Sequence, residues 1–318
     1  MKEIVVSAPS KLHLSGEHSV VYGKPAVLTS TSKRLYVTLF EAGSSSIRDK
    51  RSIAEWKEDQ NDNYVGKIIQ LAEEKYDVKL DGFLSISSEV PRGAGMGSSA
   101  AVAVATIAAI TQYVSKPWDV AQINELAYEA EKIKHTKPSG GDNSVVSFGG
   151  MLWFRKEFEF LRTFWNLSFK IPKSFAPFVL INTGRVETTG EMIDKASQIE
   201  TAKRERICGE IEDITKTIVQ AIHDENEQQF RAAIKLNEHQ LEKLGVVSES
   251  TQLLIRGVEK IGGVAKISGA GGIKEGSGII LAIHDNPRKL LDLASEFNYP
   301  SFQVALSVDG VRIERVVM

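Results

Sequence analysis

The sequence predicts an α+β protein of two domains. Three observations predict it. Strand-like and helix-like patterns alternate, but without the strict βαβ rhythm of a parallel sheet. The 318 residues suit two domains at about 150 residues each. The texture changes near Ile171–Phe175, after which long helical patterns dominate, so the boundary is placed between 1–172 and 173–318.

The elements follow in order. Val5–Ser7 and Leu35–Leu39 are rich in β-branched and aromatic residues and predict short strands. The polar stretch Gly43–Asn63 reads as a surface loop. In Tyr64–Tyr76, Ile68, Ile69, Leu71 and Ala72 repeat at helical spacing. Leu84, Ile86, Ser88 and Val90 alternate with more polar neighbours, the mark of a half-buried strand. A glycine-rich turn leads into a small-residue helix over Ser98–Tyr113. Asp119, with Gln122 three residues later, opens the next helix in the manner of a capping box. Pro138-Ser139-Gly140-Gly141 breaks that pattern, and Val145–Phe154 predicts a strand.

Phe178–Asn182 begins the second half as a strand. Helices are predicted over Ala202–Ile222, Asn226–Leu244 and Thr251–Ile261, the last ended by Gly262-Gly263. Val264–Ser268 and Ile279–Ile283 read as strands around a second glycine-rich segment. A helix near Pro287–Phe297 and strands near Gln303–Val308 and Val311–Val316 complete the chain.

Composition narrows the function classes. Hydrophobic residues are 42% and charged residues 25%, which excludes disordered, collagen-like and disulfide-scaffold chains. Lys and Arg number 39 against 41 Asp and Glu, a net charge of −2, and this argues against a dedicated nucleic-acid binder. The single cysteine, Cys208, can close no intrachain disulfide and is expected in helix packing. Residues 1–7 lack an apolar stretch of signal-peptide length. The nearly apolar run Ala100–Ile110 is far short of the ~20 residues that span a bilayer. The expected place is the cytoplasm, with no membrane partner.

The strongest local signal is Pro91-Arg92-Gly93-Ala94-Gly95-Met96-Gly97-Ser98-Ser99-Ala100-Ala101. Alternate glycines between a strand and a helix let backbone N–H groups converge, and the helix N-terminus adds positive charge. Such a turn holds an anion, usually phosphate. The plainer alternative is a tight connection with serine caps. No Gly-Lys-Ser/Thr follows, so it is not a Walker loop. The acidic strand end of the dinucleotide fingerprint is missing, as is the protein-kinase motif set. A second segment, Ser268-Gly269-Ala270-Gly271-Gly272, is explained equally well by a hairpin turn.

Two carboxylates stand near the first loop in this reading. Asp142 follows the glycine turn at Pro138–Gly141, where small neighbours leave room for a substrate hydroxyl. Glu131 lies eleven residues earlier. One base and one magnesium ligand would suit such a pair, although an Asx-turn explains Asp142 at least as well from spacing alone. Lys11, just past a buried-looking strand, is either a phosphate or carboxylate partner or a solvated strand end. Glu17 and His18 follow a glycine, and His18 is either a binding residue or a satisfied core histidine. No zinc spacing and no hydrolase nucleophile elbow occurs.

Together these segments resemble the small-metabolite (GHMP) kinase superfamily. Its three motifs stand in order at Ala8–Ala26, Pro91–Ala101 and Lys266–Gly272. Within it the chain is most similar to the mevalonate kinase family, through Gly16–Gly23, Pro138–Asn143 with Gly149-Gly150, Thr183–Thr189 and Asn237–Gly245. The resemblance implies an N-terminal domain like ribosomal protein S5 domain 2 and a ferredoxin-like C-terminal domain. It implies ATP and Mg2+ as cofactors and mevalonate as acceptor, with a homodimer left open. It places the catalytic base at Asp142 and its lysine partner at Lys11. The ATP phosphate loop falls at Pro91, Gly93, Ala94, Gly95, Met96, Gly97, Ser98, Ser99 and Ala100. Ser99 and Glu131 match the magnesium ligands. Glu17, His18, Asp142, Thr189, Gly269 and Ala270 match the acceptor site. The third motif departs from the family, because Ile273-Lys274-Glu275 intervene before Gly276-Ser277-Gly278. Another superfamily kinase, such as one acting on phosphomevalonate, is the alternative, with Arg185 or Lys137 meeting the extra phosphate. A non-catalytic ATP-binding protein would be expected to lose Lys11, Glu131 or Asp142, and all three are present.

Overall fold

The computed structural model describes residues 2–41, 51–58, 63–91, 93–134, 138–158, 161–175 and 177–317. The strands are β1 (Glu3–Ser15), β2 (Ala26–Phe40), β3 (Arg51–Ser52), β4 (Phe83–Ser88), β5 (Met151–Lys156), β6 (Arg162–Asn166), β7 (Phe178–Asn182), β8 (Val264–Ser268), β9 (Ile279–Ile283), β10 (Ser301–Val304) and β11 (Arg312–Val317). The helices are α1 (Ile53–Glu58), α2 (Tyr64–Tyr76), α3 (Ser98–Tyr113), α4 (Val120–Lys134), α5 (Gly141–Phe148), α6 (Thr189–Ser197), α7 (Thr201–His223), α8 (Glu227–Lys243), α9 (Glu249–Lys260) and α10 (Pro287–Glu296). The mixture is the α+β class the sequence predicts.

Two antiparallel sheets organise it. The first runs β11-β1-β2-β4-β3, with β5 on β2 and β6 on β5. Its core strands are much longer than the short apolar runs predict, because β1 and β2 pair over 13 and 15 residues. Pro9 is accommodated at a register shift between Pro9 and Ser10, where a missing ladder N–H costs little. The second sheet runs β10-β7-β9-β8. Helices α6 to α9 connect β7 to β8, and α10 connects β9 to β10.

Helix α3 is the hub of the first layer. Ala100 to Thr111 is buried almost all round, apart from Val102, so small side chains let it lie between elements. It packs on β1, β2, α2, α4 and α5. Asp119 Oδ1 caps α4 by accepting from the Ala121 N–H at 2.9 Å and the Gln122 N–H at 3.3 Å.

One element differs from the sequence reading. Val145–Phe154 is not a strand throughout. Helix α5 continues to Phe148, Gly149 and Gly150 turn the chain at φ 72° and 66°, and β5 starts only at Met151. A short apolar run carries no period that separates the two states. Within the polar stretch 43–63, residues 51–58 form β3 and α1, and residues 43–50 and 59–62 lie outside the described residues.

Candidate active site

Lys11 and the glycine turn are built against each other. The Lys11 N–H donates to the Met96 carbonyl at 3.0 Å. Gly93, Gly95 and Gly97 all take positive φ, at 71°, 76° and 71°. A side chain at Gly97 would place its Cβ 2.7 Å from Lys11 Cγ, so the lysine stem crosses the loop where only glycine leaves room. Gly93 and Gly95 face open space. No side chain caps the start of α3, so its first N–H groups stay available for an anion.

The lysine then reaches the predicted base. Its Nζ lies 3.1 Å from Asp142 Oδ1, with side-chain exposures of 6% and 34%. Asp142 sits in the first turn of α5, after Gly140 at φ 84°. The glycine turn thus leaves the carboxylate about a third exposed while it stays paired with Lys11. Lys11 Nζ is also 3.4 Å from His13 Nδ1. Burial and the Lys11 and Lys266 cations hold His13 well below its usual range. It therefore stays neutral and can accept at Nδ1.

A second cluster gathers oxygens beside the loop. Ser99 Oγ donates to Glu131 Oε2 at 3.3 Å, and the Tyr64 hydroxyl donates to Glu131 Oε1 at 2.7 Å. Burial and the Glu131 carboxylate push the Tyr64 phenol far up, so it remains a donor. Among the described residues no group of three or more His, Cys, Asp or Glu could cage a metal. A hydroxyl and one carboxylate beside a phosphate loop nevertheless fit Mg2+, which takes one or two protein oxygens and fills its shell with phosphate and water.

The residues expected at the acceptor site join the two halves of the chain. His18 has φ 60°, a region that strains a non-glycine residue. Its Nε2–H donates to the Ala270 carbonyl at 2.9 Å, and burial pushes its pKa down. The ring is therefore neutral, with Nδ1 left as acceptor. Ser268 Oγ accepts from the His13 N–H at 2.9 Å. Glu17 is buried, its side chain 1% exposed and ion-paired with the fully buried Lys266. Glu238 Oε2 accepts from the Ile267 N–H at 2.8 Å. Burial pushes Glu238 up to about 8 despite nearby Lys266, and burial raises Glu17 as well, against the opposing effect of Lys266. Thr189 starts α6 and is exposed.

The departure in the third motif has its own anchor. Glu187 Oε1 accepts from the Ile273 N–H at 3.2 Å and the Lys274 N–H at 2.9 Å. Arg185 lies half-buried at the same turn, and Lys137 lies outside the described residues. The Ala94 carbonyl of the first loop is 3.8 Å from where a Cβ on Gly278 would stand, so the two glycine segments face each other. Cys208 is buried in α7, as expected.

Tyr64, His13, Lys266 and Glu238 were not singled out from sequence. The 3.6-residue pattern of α2 shows Tyr64 only as a helix start. Lys266 reads as an ordinary polar position on a strand.

Residues 63–150 match the family model described as GHMP kinases N terminal domain. A mevalonate kinase from Pyrococcus horikoshii is 31% identical, over 86% of this chain and 87% of its own length. The crystal structure of the Methanococcus jannaschii mevalonate kinase superposes with a TM-score of 0.80 at 24% identity, over 96% of this chain and 98% of that one. The structure of L. major mevalonate kinase in complex with R-mevalonate gives 0.76 at 19% identity, over 95% of both chains. Both share this fold.

Proposed function

Because the chain belongs to the mevalonate kinase family, we propose that it transfers the γ-phosphoryl group of ATP to the primary hydroxyl of mevalonate. The product is 5-phosphomevalonate, on the mevalonate route to isoprenoids. The observation that carries this reading is the Lys11–Asp142 pair, 3.1 Å apart, set beside an uncapped helix start and a glycine turn with open φ-positive positions.

The residues divide the work. The turn from Pro91 to Ala100 receives the ATP phosphates on backbone N–H groups. Asp142 orients the acceptor hydroxyl and takes its proton as the oxygen bonds to the γ-phosphorus and the bond to the bridging oxygen breaks. Lys11 holds Asp142 in place and offers positive charge to the reacting oxygens. Ser99 and Glu131 hold Mg2+, which supplies charge neutralisation on the phosphates. His18, Thr189, Gly269 and Ala270 form the acceptor side. Glu17 supports that corner from behind, through Lys266.

We divide the chain at 172 and 173, which the two sheets support, with β11 returning to the first. The β10-β7-β9-β8 order with its β-α-β-β-α-β connection supports the ferredoxin-like description of the second unit. The cytoplasm is the proposed place, and no helix among the described residues is long and apolar enough to cross a membrane.

A panel of acceptors with labelled ATP tests the function. Mevalonate should take the label, and phosphomevalonate, homoserine and galactose should not. Preferred labelling of phosphomevalonate would overturn the acceptor assignment.

A further inference from the structure

We propose that Tyr64 is a positioning residue for the metal site, holding the Glu131 carboxylate in a single orientation with one oxygen presented beside Ser99. The proposal rests on the reading of Glu131 as a metal ligand.

The geometry is that of an outer-shell partner. Tyr64 is 8% exposed and Glu131 4%. They come from different helices, α2 and α4, that pack together. A buried phenol needs a partner for its O–H, and a bond to an ionised carboxylate is among the stronger ones. The phenol occupies Oε1 at 2.7 Å. Oε2 is the oxygen 3.3 Å from Ser99 Oγ. With Oε1 committed, the carboxylate meets a cation through Oε2, on the side of the phosphate loop.

The chain also holds the ring itself in place. Tyr64 joins the core cluster that contains Ile68, Ile69, Ala127 and Ala130. Lys134 Nζ stands 4.9 Å from the ring centroid. Tyr64 therefore has a fixed position from which to fix another residue. Replacing it with Phe keeps the packing and deletes only the hydroxyl. Loss of such partners elsewhere weakens metal binding by roughly 10–100-fold.

The test uses the full chain, Mn2+ and ADP. Free Mn2+ is counted by electron paramagnetic resonance in wild type, Tyr64→Phe and Glu131→Gln. Tyr64→Phe should weaken Mn2+ in the ADP complex by about tenfold or more, while ADP affinity without metal stays unchanged. The Mg2+ concentration giving half-maximal turnover should rise by a similar factor, and excess Mg2+ should recover most of the rate. A purely structural tyrosine would not produce that recovery. Wild-type Mn2+ affinity in Tyr64→Phe beside a weakened Glu131→Gln overturns this proposal alone. Wild-type affinity in Glu131→Gln overturns the metal reading of Glu131, and this proposal with it.

Discussion

Replacing Lys266 with Met deletes the cation between Glu17 and Glu238 and keeps most of the side-chain volume. Lys266 is 0% and Glu17 1% exposed in their side chains, so neither charge has water to fall back on. One Glu17 oxygen, Oε2, already lacks a hydrogen-bond partner among the described residues. Removing one member of such a pair typically costs about 3–5 kcal/mol, because the survivor is left buried and uncompensated. That is a large share of a total stability of roughly 5–15 kcal/mol. Burial already raises the pKa of Glu17, and losing Lys266 removes the main opposing effect. The variant's Glu17 should therefore bind a proton on folding, so its deficit should grow as pH rises. The double variant Glu17→Gln/Lys266→Met has no buried charge in this pair and should lose under about 2 kcal/mol. Urea unfolding followed by far-ultraviolet circular dichroism measures all three differences, with the slope checked for constancy. A loss below about 1 kcal/mol in the single variant, or a double variant that loses the sum of both singles, would refute the reasoning.

Glu238 gives a pH signature in the wild type. Its carboxyl is raised to about 8 from an ordinary 4.5. Its contribution to stability is thus complete below the unfolded value and lost as pH rises through about 8, since the folded state holds the proton longer. Glu238→Gln should flatten that fall, and an unchanged profile would count against the assignment. Asp142→Asn should lower kcat by roughly 10²–10⁴-fold with ATP affinity by calorimetry retained; near-wild-type turnover would remove Asp142 as base. Gly97→Ala forces a Cβ to 2.7 Å from Lys11 Cγ at φ 71°, so kcat should drop along with about 1–3 kcal/mol of stability. A wild-type kcat in that variant would show that Lys11 does not need its present path over the loop.

The sequence carried much of this where the signal is local. Ser98–Tyr113 and Tyr64–Tyr76 have the same bounds in the sequence reading and in the fold, because glycines, small residues and helical spacing mark both elements within a few positions. The glycine turn and the Pro138–Asn143 segment are equally local, and Lys11 and Asp142 do meet. What was not legible depends on distant partners. The apolar run after Asn143 holds a helix and a strand because Gly149 and Gly150 act as a turn, and its composition alone suits either state. Nothing beside Lys266 in sequence tells that it is sealed against Glu17, 249 positions away. Tyr64 likewise reads as one more aromatic at a helix start until Glu131 is placed next to it.

The return of β11 to β1 has a consequence for how the molecule is made. Glu3 pairs with Val317 and Ile4 with Val316, and Arg34 grips the carbonyls of Asp309 and Gly310 on the way in. During synthesis β1 must wait for β11 before this edge is covered. Until then β1 is an open ladder of unpaired N–H and C=O groups, the template on which stray chains add. The adjacent charges Lys2 and Glu3 at the start of that edge guard a nascent chain against such pairing, a duty that ends once the sheet closes.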